Sequence, residues 1–150
     1  MSNDQRPVEI LLIEDSPADV RLTQEALKEA TLAYRLHTVG DGDAALHFLR
    51  REEGYLNSPK PDIILLDFNL PKRDGRQVLV DLKEDPQFRS IPVIVLTTSR
   101  AESDVKAAYD LHANCYIQKP VDLNHFLQIV QSIEKFWLNV ATLPKISQSL

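Results

Sequence analysis

Short apolar runs alternate with amphipathic stretches along the whole chain, and that alternation leaves few ways to fold. The first run, Val8–Ile13, stops at Glu14-Asp15; another, Ile63–Leu66, stops at Asp67. Both are too short for an ordinary helix, rich in branched side chains and bounded by Pro or polar residues, so they predict buried strands. Tyr34–Val39, residues 91–96 and residues 115–117 predict three more. Between them, Ser16-Pro17 is a helix start, with Ser as N-cap and Pro in the first turn. Val20, Leu22, Ala26, Leu27 and Ala30 then follow helical spacing. Gly40-Asp41-Gly42-Asp43 is a turn before a helix presenting Ala44, Ala45, Phe48 and Leu49. Residues 52–61 form a polar loop, and residues 71–75 a turn. Val78, Leu79 and Leu82 mark a third helix, stopped at Asp85-Pro86. Ser99 and Glu102 fit a capping box opening a fourth. Asp122 caps a last helix expected to reach about Val140.

Repeated strand–helix units predict a parallel sheet covered by helices on both faces, with right-handed crossovers. The flavodoxin-like doubly wound order 2-1-3-4-5 is one common solution. Its switch point lies between strands one and three, the two that end in acids.

Composition narrows the function classes. A chain of 150 residues suits one domain. A net charge of −5 argues against non-specific nucleic acid binding. With Cys115 as the single cysteine, no internal disulfide or cysteine metal cluster can form, and a reducing cytoplasm is the expected setting. Cys115 itself reads as an inert core thiol. No stretch approaches the roughly 18 apolar residues of a membrane span, and the polar N-terminus gives no signal peptide. His37, His47, His112 and His125 lack metal-ligand spacing and read as surface or loop residues.

The chemistry gathers at the strand ends. If the strands are parallel, Glu14, Asp15, Asp67, Thr97 and Lys119 converge on one edge of the sheet. Crowded carboxylates need a cation, a buried lysine or a shifted pKa to coexist. Oxygen donors of this kind suit Mg2+ or Mn2+. A nucleophilic carboxylate beside such an ion and a lysine suits phosphoryl transfer.

These residues resemble the receiver domain of two-component response regulators. The likeness is carried by Glu14-Asp15, by Asp67 with Asn69-Leu70-Pro71 and Asp74-Gly75, and by Thr97, Tyr116 and Lys119-Pro120. A narrower likeness is to single-domain regulators that partner cyanobacterial phytochrome histidine kinases. It rests on residues 65–76, on residues 109–117 and on Phe136-Trp137 through Leu143-Pro144. The resemblance implies that Asp67 accepts a phosphoryl group from a sensor histidine kinase. Asp15 would bind Mg2+ directly, Glu14 through a water, and Asn69 through its backbone carbonyl. Many receivers carry Asp at the position of Glu14. Lys119 would pair with the carboxylate and then the phosphoryl oxygens, across an expected cis Lys119–Pro120 bond. Thr97 would bind a phosphoryl oxygen, and Tyr116 would swing inward behind it. The surface remodelled would be that of the fourth helix, fifth strand and fifth helix.

The expected boundaries are a receiver domain over residues 1–144 and a flexible tail over 145–150. No output domain is expected, so signalling would pass by protein contact or by transfer to a His phosphotransfer protein. The last helix carries one core stripe, Phe126, Val130, Ile133 and Trp137, and Ile129, Phe136, Val140 and Leu143 widen it; Ile129, Phe136, Trp137, Val140 and Leu143 are the candidate contact residues. That width predicts a homodimer contact, the alternative being a tail folded back on its own domain. Two rival readings are a pseudo-receiver that is never phosphorylated and a haloacid-dehalogenase-like phosphohydrolase. The first is disfavoured because the site residues are all present. The second needs an acid two residues past the nucleophile, where Asn69 stands.

Overall fold

The computed structural model describes residues 6–145. Its strands are β1 (Val8–Ile13), β2 (Tyr34–Val39), β3 (Ile63–Leu66), β4 (Val93–Thr97) and β5 (Cys115–Gln118). They form one parallel sheet in the order β2-β1-β3-β4-β5. The helices are α1 (Pro17–Leu27), α2 (Gly42–Arg50), α3 (Gly75–Glu84), α4 (Glu102–Asp110) and α5 (Leu123–Ile133). This is the flavodoxin-like fold expected from the alternation.

Strand side chains point to alternate faces, so each strand feeds two cores. Leu11, Ile13, Ile64, Leu66, Val93 and Val95 pack beneath α2, α3 and α4. Ile10, Leu12, Ile63, Leu65, Ile94 and Leu96 pack beneath α1 and α5. Every residue of β3 and β4 is buried, as expected for central strands covered on both sides.

Ser16 and Asp122 cap their helices as read from sequence, and Asp41, read only as part of a turn, caps α2; each accepts a hydrogen bond from an amide of the first turn. Ser99 does not. At the start of α4 the cap position is Ala101, without a side-chain cap, because the Ser99 hydroxyl donates to the Asp104 carboxylate instead. His37 is not a free surface residue: its ring lies 2.8 Å from Glu9, a buried acid on the neighbouring strand.

The last helix also departs from expectation. Regular helix ends at Ile133, and Glu134–Val140 continues as a π-helix. The wider turn shifts the register, so Leu138 is buried where the spacing placed Trp137. Glu134, itself buried, accepts from the Asn139 amide, and Thr31 donates to the Asn139 oxygen. That chain ties the extension to the loop before β2. Beyond it, residues 141–145 turn back toward Arg6, Pro7 and Leu32 around a cavity of about 340 Å³. Of the tail expected over residues 145–150, residues 146–150 lie outside those described.

Candidate functional site

The sheet register builds the site. Ile13 pairs with Leu66, so Glu14 and Asp67 leave adjacent strands one step later, side by side. The Asp67 amide donates to the Ile13 carbonyl at 3.1 Å, extending the ladder. On the other flank Thr97 pairs with Gln118, and the Lys119 amide donates to the Thr97 carbonyl at 2.7 Å. All four side chains therefore arise from the carboxyl ends of parallel strands, with Glu14 and Asp67 flanking the switch point between β1 and β3.

Among the described residues, Glu14, Asp15 and Asp67 each offer an oxygen within 4.8 Å of the others. Glu14 and Asp67 are buried and Asp15 is exposed. Three hard oxygen donors with one open side fit a Mg2+ or Mn2+ ion that keeps several waters. The Lys119 ammonium, also buried, donates to Asp67 at 3.0 Å, to Asp19 at 2.8 Å and to Glu14. Asp67 also accepts from the Asn69 amide at 3.0 Å, and Glu14 from the Ser16 amide at 3.1 Å. Thr97 is fully buried, with the Asn69 side-chain amide 3.4 Å from its hydroxyl.

The electrostatics follow from counting. One ammonium faces four carboxylates, Asp19 included. Burial pushes Glu14 up to about 7, and the Asp67 charge adds to that rise against the pull of Lys119. Burial works against the Lys119 ammonium too. Its hydrogen bonds to Asp19 and Glu14 and the charges of Asp67 and Glu14 outweigh that, so it is held charged above the ordinary lysine value.

Gly75 lets α3 close over the acceptor. A Cβ there would sit 2.4 Å from the Asp67 carbonyl oxygen and 2.6 Å from Phe68 Cα. On the rim, Tyr116 meets the Phe68 ring edge-on at 5.9 Å, and its hydroxyl donates to the Ser99 carbonyl at 2.9 Å. The tyrosine expected to swing inward thus already packs against the core residue beside the acceptor. The hydrogen bonds of Arg76 and Ser99 hold Asp104 below the usual carboxylate range.

Every strand-end residue picked out by sequence, Glu14, Asp15, Asp67, Thr97 and Lys119, joins this cluster, with Asn69 at its edge. One expectation fails: no cis peptide occurs among the described residues. Lys119–Pro120 is trans, and the Lys119 side chain reaches Glu14, Asp19 and Asp67 from that backbone. Sequence reasoning missed Asp19, whose signal was an acid in the first turn of α1, and the Arg76–Asp104 pair, which has no sequence signal. The five dimer candidates split. Ile129, Trp137 and Leu143 are half-buried against their own core, whereas Phe136 is 53% and Val140 71% exposed. Cys115 is half-buried, and burial pushes its thiol up, away from the reactive thiolate. No helix among the described residues is long and apolar enough to cross a membrane.

Comparison with known proteins agrees with this geometry. The family model for the response regulator receiver domain matches residues 10–131. The response regulator Rcp1 of Synechocystis sp. is 52% identical over 145 residues, covering 96% of this chain and 99% of Rcp1. The crystal structure of the Mn(2+)-bound form of Rcp1 superposes with a TM-score of 0.90 at 52% identity, covering 93% of this chain and 100% of that one. The phosphorylated cyanobacterial phytochrome response regulator RcpA gives 0.91 at 51% identity, with the same coverage. The chain belongs to the response regulator receiver domain family.

Proposed function

We propose that this chain takes a phosphoryl group on Asp67 from a phosphohistidine of a sensor histidine kinase, a phytochrome kinase in particular, and passes the signal on through a changed surface. The observation that carries the reading is the set around Asp67: two further acids, a lysine within 3.0 Å and a buried threonine on the next strand. A carboxylate oxygen of Asp67 attacks phosphorus, the P–N bond breaks, and its electron pair returns to the imidazole. Bound Mg2+ or Mn2+ would neutralise the charge on the transferring group; Glu14, Asp15 and Asp67 would hold it, with the Asn69 carbonyl. Lys119 follows Asp67 from carboxylate to phosphoryl oxygen. Thr97 supplies a hydroxyl donor on the other side. Attack of water on phosphorus later returns the carboxylate and free phosphate. The chain is thus a phosphoacceptor with its own dephosphorylation chemistry, and catalyses no turnover of a separate metabolite.

A phosphoryl group adds about −1.5 to −2 charge and three acceptors. Thr97 and Lys119 answer them from β4 and β5, so the response spreads to the α4–β5–α5 face beside Tyr116. A downstream protein or a His phosphotransfer protein that prefers one arrangement shifts the balance by its differential affinity. The setting is the cytoplasm. A second copy pairs through Phe136 and Val140, large apolar groups one helical turn apart and both exposed.

The test is incubation with acetyl phosphate and Mg2+. One phosphate should add, and Asp67→Asn should abolish it. Labelling that survives the substitution refutes the acceptor, and turnover of a small phosphate ester without a kinase favours a hydrolase. Phosphotransfer profiling against the host's histidine kinases then identifies the donor.

A further inference from the structure

Arg76 ties three elements together on the rim of the site, through contacts the phosphotransfer chemistry does not use. Its guanidinium donates to both oxygens of Asp74, the N-cap of α3, at 3.2 and 2.9 Å. A second nitrogen donates to Asp104 in the first turn of α4. Its central carbon lies 5.0 Å from the centroid of the Phe68 ring. From Arg76, two routes lead to Tyr116. One runs through Asp104 to the Ser99 hydroxyl, and Ser99 offers its carbonyl to the Tyr116 hydroxyl at 2.9 Å. The other runs through Phe68, against whose ring Tyr116 packs edge-on.

The geometry explains why this brace matters. Ser99 lies two residues past Thr97, on the segment that must answer a phosphoryl group. The start of α4 lacks a side-chain cap, so Asp104 is the anchor for that segment. Without Arg76, the Asp104 carboxylate would be free to turn toward solvent. The Ser99 carbonyl would then lose its fixed place, and Tyr116 its hydroxyl partner. A planar guanidinium can hold Asp74 and Asp104 while lying over a ring; an ammonium cannot reproduce that fork and face.

We propose that Arg76, with Asp104, is a positioning residue that holds Tyr116 against Phe68 and so sets the fraction of molecules ready to close on a phosphoryl group. The proposal rests on Asp67 being the acceptor. Arg76 is about one-third exposed and Asp104 less so, so the brace biases the population by a modest factor.

The experiment uses the full chain with 3-fluorotyrosine at position 116, observed by fluorine NMR, and a beryllofluoride titration in Mg2+. Arg76→Lys and Asp104→Asn should each move the Tyr116 signal toward the solvent-exposed position. Each should weaken beryllofluoride binding about two- to fivefold, the range of a partly exposed ion pair. Mg2+ affinity should stay at the native value, since neither residue is a metal ligand. In a Tyr116→Ala background the Asp104→Asn effect on beryllofluoride should vanish, because coupled residues are not additive. Native binding and an unmoved signal in both variants would overturn the proposal. So would an effect undiminished in the Tyr116→Ala background, which means a general loosening of the loop. A native chain that binds Mg2+ but no beryllofluoride would instead overturn the phosphoacceptor reading itself.

Discussion

Replacing Lys119 with Met should destabilise the metal-free protein more than any other single change at the site. Met keeps much of the length and apolar stem, so the variant isolates the charge. At an effective dielectric of about 20, contacts of 3.0 Å to Asp67 and 2.8 Å to Asp19 are each worth about 5.5–6 kcal/mol. The cost of burying the ammonium offsets several kcal/mol of that sum. Removing one partner of a buried pair typically costs about 3–5 kcal/mol, because the other charge is left stranded. Here the stranded groups are Glu14 and Asp67, both buried. For a chain of this size each kcal/mol moves the melting temperature by roughly 2–4 °C, so a fall on the order of 10 °C is expected in EDTA at pH 8. Two controls follow from the same charges. The gap should narrow at pH 6, where Glu14 takes up a proton, and again in Mg2+, which replaces the lost positive charge. Thermal unfolding by circular dichroism reads all three conditions. A melting temperature equal to the native one without metal refutes the charge balance. A gap that Mg2+ leaves unchanged refutes the claim that lysine and metal serve the same carboxylates.

Mg2+ affinity should rise on the order of a hundredfold from pH 5 to pH 8, because binding needs the carboxylate of Glu14, which titrates near 7. The sign for stability is opposite. A raised acid stabilises the metal-free fold fully below its ordinary value of 4.5, and that contribution is lost as pH climbs through about 7. Calorimetric Mg2+ titrations that are flat across this window would contradict both statements. Gly75→Ala should cost about 1–3 kcal/mol by overpacking and slow acetyl phosphate labelling, since its Cβ meets backbone at 2.4 Å; urea unfolding and labelling at native levels would show that α3 can yield. Phe136→Ala with Val140→Ser should leave the melting temperature near native, both sites being exposed. Light scattering should then report a monomer mass, and an unchanged mass would refute pairing through this face.

The sheet was legible because its signals are local. Five short branched runs, the side-chain caps Ser16 and Asp122 and the Asp85-Pro86 stop set the order of elements without any tertiary contact. The acid–lysine–threonine cluster was legible for a related reason: each member sits at a strand's carboxyl end, so topology alone brings them together. What escaped depends on contacts between elements. Asp19 sits on α1 and meets Lys119 one hundred positions away, and an acid in a helix's first turn already has a local explanation. Ser99 matches a capping pattern, but its hydroxyl donates instead to the Asp104 carboxylate that Arg76 holds, and no window of sequence contains that competition. The π-helix at Glu134–Val140 escaped for the same reason. Its register follows from Glu134 bonding Asn139 and from Leu138 filling the core, neither of which apolar spacing foretells.

Geometry and charge are solved separately at this site. Among the described residues no buried side-chain nitrogen or oxygen lacks a hydrogen-bond partner, so the buried polar atoms of Glu14, Asp67, Thr97 and Lys119 are all paired. Their charges, by contrast, do not cancel: one ammonium cannot balance Glu14, Asp15, Asp19 and Asp67. That imbalance costs stability, which the apolar core around β3 and β4, buried from end to end, offsets. The surplus is useful because it is fixed in position. On the proposed chemistry a divalent cation would relieve it, and a phosphoryl group on Asp67 would add negative charge back at the same place. Thr97, Lys119 and the segment leading to Ser99 would rearrange in response. Neutralising the surplus in advance, by trading an acid for an amide, would calm the resting state and remove the force that makes the switch respond.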